Sequence, residues 1–367
     1  MLNMKTTPPL LAVHAALAAL CAALAGEAAQ AAAPAVADAL QRPAVLARQP
    51  ERAVTLSAAR VGKRVVAVGE RGLILLSDDQ GAHWRQSPCP VSVTLTTVRF
   101  ADALHGVVVG HGGVVLTTAD AGETWTLRLD GQRLAQLVLA SAKASGDAIH
   151  VRDAERLVAD GPDKPLLDIL AWDAQNLLAV GAYGLALHSA DGGKSWTSWM
   201  ERLPNPRALH LYSVRRSGNT LLIAGEQGVV MRSDDGGASF RPLNTPYKGS
   251  WFTAELLSDQ RLVLAGLRGN AWRSEDGGVT WAQLVSPMPA SITASVQGPG
   301  GALWMTNQAG YVLRLQGNSL VPIHRQAFAP LTGLVGPERS GAASDGLVLA
   351  VTGPQRISLN PAQEVGK

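Results

Sequence analysis

The sequence has 367 residues, 47% hydrophobic and 17% charged, with 32 basic against 29 acidic residues for a net charge of +3. The apolar content and thin charge exclude intrinsic disorder, and they leave no dense basic patch of the kind that grips nucleic acid. Glycine is frequent at 38 residues, and 9 Trp stand against 4 Tyr and 4 Phe, a balance that points to a turn-rich β protein.

Residues 1–31 read as a secretory signal peptide. Lys5 supplies the positive start, Leu10 to Ala25 is apolar but for His14, and Ala29-Gln30-Ala31 places cleavage before Ala32. The stretch is too short and Ala-rich for a membrane span. The expectation is therefore an exported protein, periplasmic or extracellular, with 32–367 as a single domain. Cys21 lies in the leader, so Cys89 is left alone, which excludes a disulfide framework and an all-Cys metal site. Cys89 sits in a turn-like Ser-Pro-Cys-Pro run and reads as an unreactive thiol. Ala44 to Arg48 is expected to be a strand that closes the last repeat.

One unit then recurs about every 41 residues: Gly-x-x-Gly, a short apolar run, and Ser/Thr-x-Asp-x-Gly-x-x-Trp. The first copy carries Asp79, Gly81 and Trp84 and the second Asp120, Gly122 and Trp125. The third carries Asp191, Gly193 and Trp196, the fourth Asp235, Gly237 and Phe240, and the fifth Asp276, Gly278 and Trp281. A sixth unit near Asn307 and Gly310 has lost the Asp-Gly-Trp part, and a seventh near Gly353 is also degenerate. Within a unit, runs such as Leu95 to Phe100 and Gly106 to Gly110 have strand composition. Gly-x-x-Gly demands a tight turn with positive φ. The Asp accepts backbone N–H bonds in a second turn, and the Trp buries a broad surface. Four antiparallel strands per unit, seven times over, predict an all-β, seven-bladed β-propeller. Residues 131–160 break the period, and their helical spacing predicts a hairpin of two helices between blades 2 and 3.

The Ser/Thr-x-Asp-x-Gly-x-x-Trp units resemble Asp-box (bacterial neuraminidase-type) repeats. The fuller pattern, clearest over Val107–Trp125 and Leu178–Trp196, resembles the photosystem II assembly and stability factor propellers and their bacterial relatives. That resemblance implies a propeller that assists membrane-protein assembly without catalysis. The photosynthetic members carry an Arg-rich surface, of which Arg71, Arg207 and Arg268 would be a sparser version. The insertion at 131–160 is extra, and the run Leu203 to Tyr212 is similar to exported relatives of uncharacterised role.

Two functional classes remain. A sialidase-like glycosidase needs an Arg cluster, a Tyr nucleophile with a Glu partner and an Asp acid/base; the Arg-Ile-Pro signature of such enzymes is absent. A glycan-binding propeller is the variant without hydrolysis. A protein-binding module instead needs an exposed face, and Gly-x-x-Gly turns and interblade connections share one face in a propeller. Its candidates are Arg71, His111, Tyr183, Gln227, Arg268 and Asn270 from the turns, with Asn205, Arg207, Tyr247 and Lys248 from the connections. The eight His show no metal-ligand spacing, and acidic pairs such as Asp78-Asp79 fall in Asp boxes, so no metal or cofactor is expected. The reading is a non-catalytic, monomeric protein binder whose partner is an integral membrane protein or envelope complex, with no nucleic acid involved.

Overall fold

β-branched and aliphatic runs punctuated by Gly turns fold here into short antiparallel sheets. The computed structural model describes residues 38–336, 347–350 and 353–357, so the expected signal peptide and Cys21 lie outside the described residues. All but Asp38 belong to one unit of the fold, Ala39–Lys367.

Sheet 1 holds β1 (Thr55–Val61), β2 (Arg64–Gly69), β3 (Ile74–Ser77) and β4 (Arg85–Gln86). Sheet 2 holds β5 (Leu95–Phe100), β6 (Gly106–Gly110), β7 (Val115–Thr118) and β8 (Thr126–Leu129). Two helices follow, α1 (Gly131–Ser145) and α2 (Ala148–Ala159). Sheet 3 holds β9 (Leu166–Ala171), β10 (Leu177–Gly181), β11 (Ala186–Ser189) and β12 (Thr197–Ser198). Sheet 4 holds β13 (Leu211–Ser217), β14 (Thr220–Gly225), β15 (Val230–Ser233) and β16 (Arg241–Pro242). Sheet 5 holds β17 (Trp251–Leu256), β18 (Leu262–Gly266), β19 (Ala271–Ser274) and β20 (Ala282–Gln283). Sheet 6 holds β21 (Ile292–Gln297), β22 (Leu303–Asn307), β23 (Val312–Gln316) and β24 (Ser319–Pro322). A three-stranded sheet of β25 (Gly333–Val335), β26 (Leu347–Ala350) and β27 (Gln355–Ile357) comes last.

The fold is an all-β, propeller-like array. First strands of successive sheets touch in the cycle β1, β5, β9, β13, β17, β21, β25 and back to β1. Backbone ladders run within each sheet, so contact between sheets falls to side chains. Apolar second and third strands pack between neighbours; Val66, Ile74, Val98, Val108 and Leu116 share one such core. Hydroxyls stitch the first strands sideways. Thr97 Oγ1 donates to Leu167 O at 2.8 Å, Thr293 Oγ1 to Leu331 O at 2.8 Å and Thr332 Oγ1 to Thr55 O at 2.8 Å.

The helices start and stop on local signals. Asp130 and Asp147 cap the N-termini of α1 and α2, and Gly146 ends α1 with φ 74°. Leu134, Val138 and Ala142 of α1 and Ala154 and Leu157 of α2 join the core between sheets 2 and 3.

Ala44 to Arg48 do not form the strand expected for the last sheet. The Ala44 N–H donates to Cys89 O at 3.0 Å and the Ala47 N–H to Gln86 Oε1 at 2.8 Å, so the segment lies along sheet 1. Only Ala44 packs into the core, while Val45 and Leu46 are 80% and 63% exposed, so strand-like alternation has nothing to bury.

Candidate functional site

Successive hairpin turns alternate between the two ends of a sheet. The turns joining second to third strands therefore lie at the same end as the connections between sheets, and the Asp boxes lie at the other. At the first end the Gly-x-x-Gly turns place a residue in the left-handed region: Arg71 (φ 55°), Tyr183 (55°), Gln227 (51°) and Arg268 (57°). A Cβ on the turn's first glycine would collide with the strand behind it; at Gly225 it would sit 2.1 Å from His210 O. The four side chains are thrust outward and all four are exposed. His111 is also exposed but stands one place earlier in its turn, and Gly112 takes the left-handed position there.

The connection residues divide by role. Arg207 donates to Gln227 Oε1, joining two candidates directly. Asn205 is held inside its own loop, its Nδ2 donating to Leu209 O at 2.9 Å and its Oδ1 accepting from Leu209 N at 3.1 Å. The Tyr247 hydroxyl and Asn270 Nδ2 both donate to Leu267 O, at 3.3 and 3.1 Å, and Lys248 Nζ reaches Thr245 O at 3.3 Å. These residues brace turns. No described contact joins Arg71, His111 or Arg268 to the other candidates.

A row of rings runs inward from this end. Tyr183 meets His210 at 5.1 Å between centroids, His210 meets Tyr212 at 6.3 Å, and Tyr212 meets Phe252 at 5.3 Å. Lys164, at the base of the helical insertion, stands 5.8 Å over the Tyr183 ring. Glu226 Oε2 accepts from the His210 N–H at 3.2 Å. Tyr183 is 49% exposed; the other three rings are half-buried.

The row ends at a central cavity of about 1020 Å³ walled by the first strands. Its deeper wall carries a charged chain that sequence reading missed. Asp168 accepts from Arg99 Nη2 at 3.1 Å, Arg215 Nη1 at 2.6 Å and the N–H groups of Val214 and Ile169. Arg215 faces Glu255 at 3.6 Å, and Glu255 accepts from Ser295 Oγ at 2.7 Å and Gln297 Nε2 at 2.9 Å. Five neighbouring first strands are linked in this way. The available signal was register: Arg99, Arg215 and Glu255 each stand four residues after the buried residue that opens the strand, Leu95, Leu211 and Trp251.

Tyr212, Glu255 and four arginines share this cavity wall, the combination that a glycosidase would need. Burial, with the Glu226 carboxylate adding, pushes the Tyr212 phenol above its ordinary value, the wrong direction for a nucleophile. Both carboxylates are committed to arginines.

At the opposite end the Asp boxes are turn devices. Ser189 Oγ donates to Asp191 Oδ1 at 2.9 Å and accepts from the Gly193 N–H at 2.8 Å, and Trp196 Nε1 donates to Gly193 O at 3.0 Å. The hydroxyl and N–H of Ser195 hold the Asp191 carboxyl at about 2. Asp120, Asp235 and Asp276 make the same hydroxyl and backbone bonds, and at Asp79 the His83 ring nitrogen stands in for the second hydroxyl. Two boxes depart. Trp281 Nε1 donates to Asn244 O instead, and beside Phe240 the ring of Trp199 covers Gly237, where a Cβ would lie 2.4 Å from it. Among the described residues no group of three or more His, Cys, Asp or Glu is disposed to hold a metal.

Residues 156–312 match the family model described as "Photosynthesis system II assembly factor YCF48". Over that span the chain is similar to the photosystem II assembly factors that the model describes. It is 38% identical over 74 residues to the chloroplastic photosystem II stability/assembly factor HCF136 of Cyanidioschyzon merolae, a match covering 18% of this chain and 17% of that protein. The fold is similar to that of YCF48 from Cyanidioschyzon merolae, with TM-score 0.60 and 14% identity over 84% of this chain and 96% of that one. It is also similar to the WD40 propeller domain of Doa1, with TM-score 0.59 and 9% identity over 83% and 92%. At these identities the two structures speak for the fold alone. No helix among the described residues is long and apolar enough to cross a membrane.

Proposed function

We propose that the chain is an exported, non-catalytic propeller that binds a protein partner and assists assembly of a membrane protein complex, in the manner the family description names. The mature protein is residues 32–367, released from a signal peptide at 1–31 and working as a monomer in the periplasm or outside the cell. The cycle of first-strand contacts supports a count of seven blades, with α1 and α2 filling the connection between the second and third. The reading calls for no cofactor and no nucleic acid.

The observation that carries it is the exposed turn face, where Tyr183, Arg207 and Gln227 project beside Lys164 and the aromatic row. Aromatic and arginine side chains anchored on rigid turns are the residue types that dominate protein interfaces. The glycosidase reading is disfavoured by the ion-paired carboxylates and the raised Tyr212 phenol.

The test is co-purification from cross-linked envelopes of the host, comparing the wild-type protein with a Tyr183→Ala/Arg207→Ala variant. The expected result is one integral membrane protein enriched with the wild type and lost with the variant. Enrichment of no membrane protein by the wild type would overturn the reading, and a glycan-hydrolysis screen would then take precedence.

A further inference from the structure

The first strands carry a feature separate from the turn face. In each of the six four-stranded sheets the ladder between first and second strands slips by one residue at the same place. Such a bulge re-aims the extra side chain. The residues set apart are Leu56, Thr96, Leu167, Tyr212, Phe252 and Thr293, and every one lines the central cavity. They lie near the strand starts, at the end that bears the Gly-x-x-Gly turns. The threonine hydroxyls donate to backbone carbonyls, Thr96 Oγ1 to Leu166 O at 2.7 Å and Thr293 Oγ1 to Leu331 O at 2.8 Å. This level therefore offers the cavity methyls, leucine side chains and two aromatic rings.

The level below offers cations. The carboxylates there are withdrawn, with side chains of Asp168 and Glu255 only 4% and 6% exposed and their oxygens held by arginines, Ser295 and Gln297. Arg99 stays 35% exposed. It donates through Nη1 to Val98 O and through Nη2 to Asp168, and no described residue accepts from its Nε. Arg60 and Arg216 line the same cavity, so guanidinium groups outnumber carboxylates on its wall. The two carboxylates are engaged and the Arg99 Nε remains a donor, inside a concave wall that strengthens electrostatic attraction. A pocket of this size, with an apolar level above and polar groups converging below, suits an amphipathic small molecule.

We infer that the central cavity binds a small organic carboxylate, its apolar body against Tyr212 and Phe252 and its carboxylate on Arg99. The site meets the inner end of the aromatic row at Tyr212 and Phe252, but its anion contact, Arg99, lies in the cavity and not on the exposed turns.

The probe is 4-phenylbutyrate, titrated calorimetrically into the purified full protein, with the neutral 4-phenylbutyramide as its control. The carboxylate should bind, and the amide should bind about tenfold or more weakly, the factor a charge-assisted hydrogen bond supplies. Arg99→Gln should remove the preference for the carboxylate over the amide. Phe252→Ala leaves the charged chain intact and should weaken both ligands; it serves if Arg99→Gln fails to fold, with circular dichroism reporting folding in each case. No binding of 4-phenylbutyrate by the wild type, equal affinity for the amide, or unchanged binding in folded Phe252→Ala would each overturn the proposal.

Discussion

Arg215 Nη1 donates to Asp168 Oδ2 at 2.6 Å across two sheets that share no backbone ladder. The pair sits in the wall of the central cavity and links β13 to β9, with Arg99 on the far side of the same carboxylate. Breaking a buried pair leaves an uncompensated charge. Asp168→Ala strands two arginines and should destabilise the protein by about 3–5 kcal/mol in urea unfolding. Arg71→Ala, on an exposed turn, should stay within about 0.5 kcal/mol.

The Asp-box tryptophans should fall into two groups. Trp125 and Trp196 are 7% exposed and bond to the glycine of their own box, whereas Trp281 is half-buried and bonds elsewhere. Trp196→Ala should cost about 3–5 kcal/mol. Trp281→Ala should cost clearly less, measured in the same denaturant series.

The boxes also set an acid limit. Asp191 is held at about 2 by the hydroxyl and N–H of Ser195, and Asp276 at about 2 by those of Thr280, against an ordinary value of 3.8. Because the folded value is the lower one, this stabilisation is full above the unfolded value and is lost as pH falls through the folded one. Thermal unfolding followed by circular dichroism should show a melting temperature that declines between about pH 4 and pH 2. Asp191→Asn should flatten part of that decline.

Cys89 is 3% exposed, and burial pushes its thiol up to about 11. The thiolate is the reactive form. Alkylation of the Cys89 peptide, read by mass spectrometry, should be negligible in the native protein at neutral pH and complete in urea. Rapid native labelling would contradict the packing described between sheets 1 and 2.

The repeating sheets were legible because each turn needs residues that few alternatives can replace: Gly at positive φ, and Asp to accept N–H groups. The positions of Tyr183, Gln227 and Arg268 followed from the same spacing. His111 stands one place before the left-handed position of its turn, which Gly112 fills. Ala44 to Arg48 have strand-like composition, but their pairing was decided by where Gln86 and Cys89 offer acceptors. The charged chain of Arg99, Asp168, Arg215 and Glu255 was invisible to motif reading. Its members lie far apart in sequence and meet only because the first strands converge.

The central claim is that the Gly-x-x-Gly end meets the partner. Photocrosslinking measures it most directly, with p-benzoylphenylalanine replacing Tyr183 in one protein and Lys63 in another. Lys63 is exposed in the turn between β1 and β2, at the opposite end of the sheets. In native envelopes the account predicts a specific adduct with one integral membrane protein from position 183 and none from position 63. Equal adducts from both positions, or an adduct from position 63 alone, would contradict it.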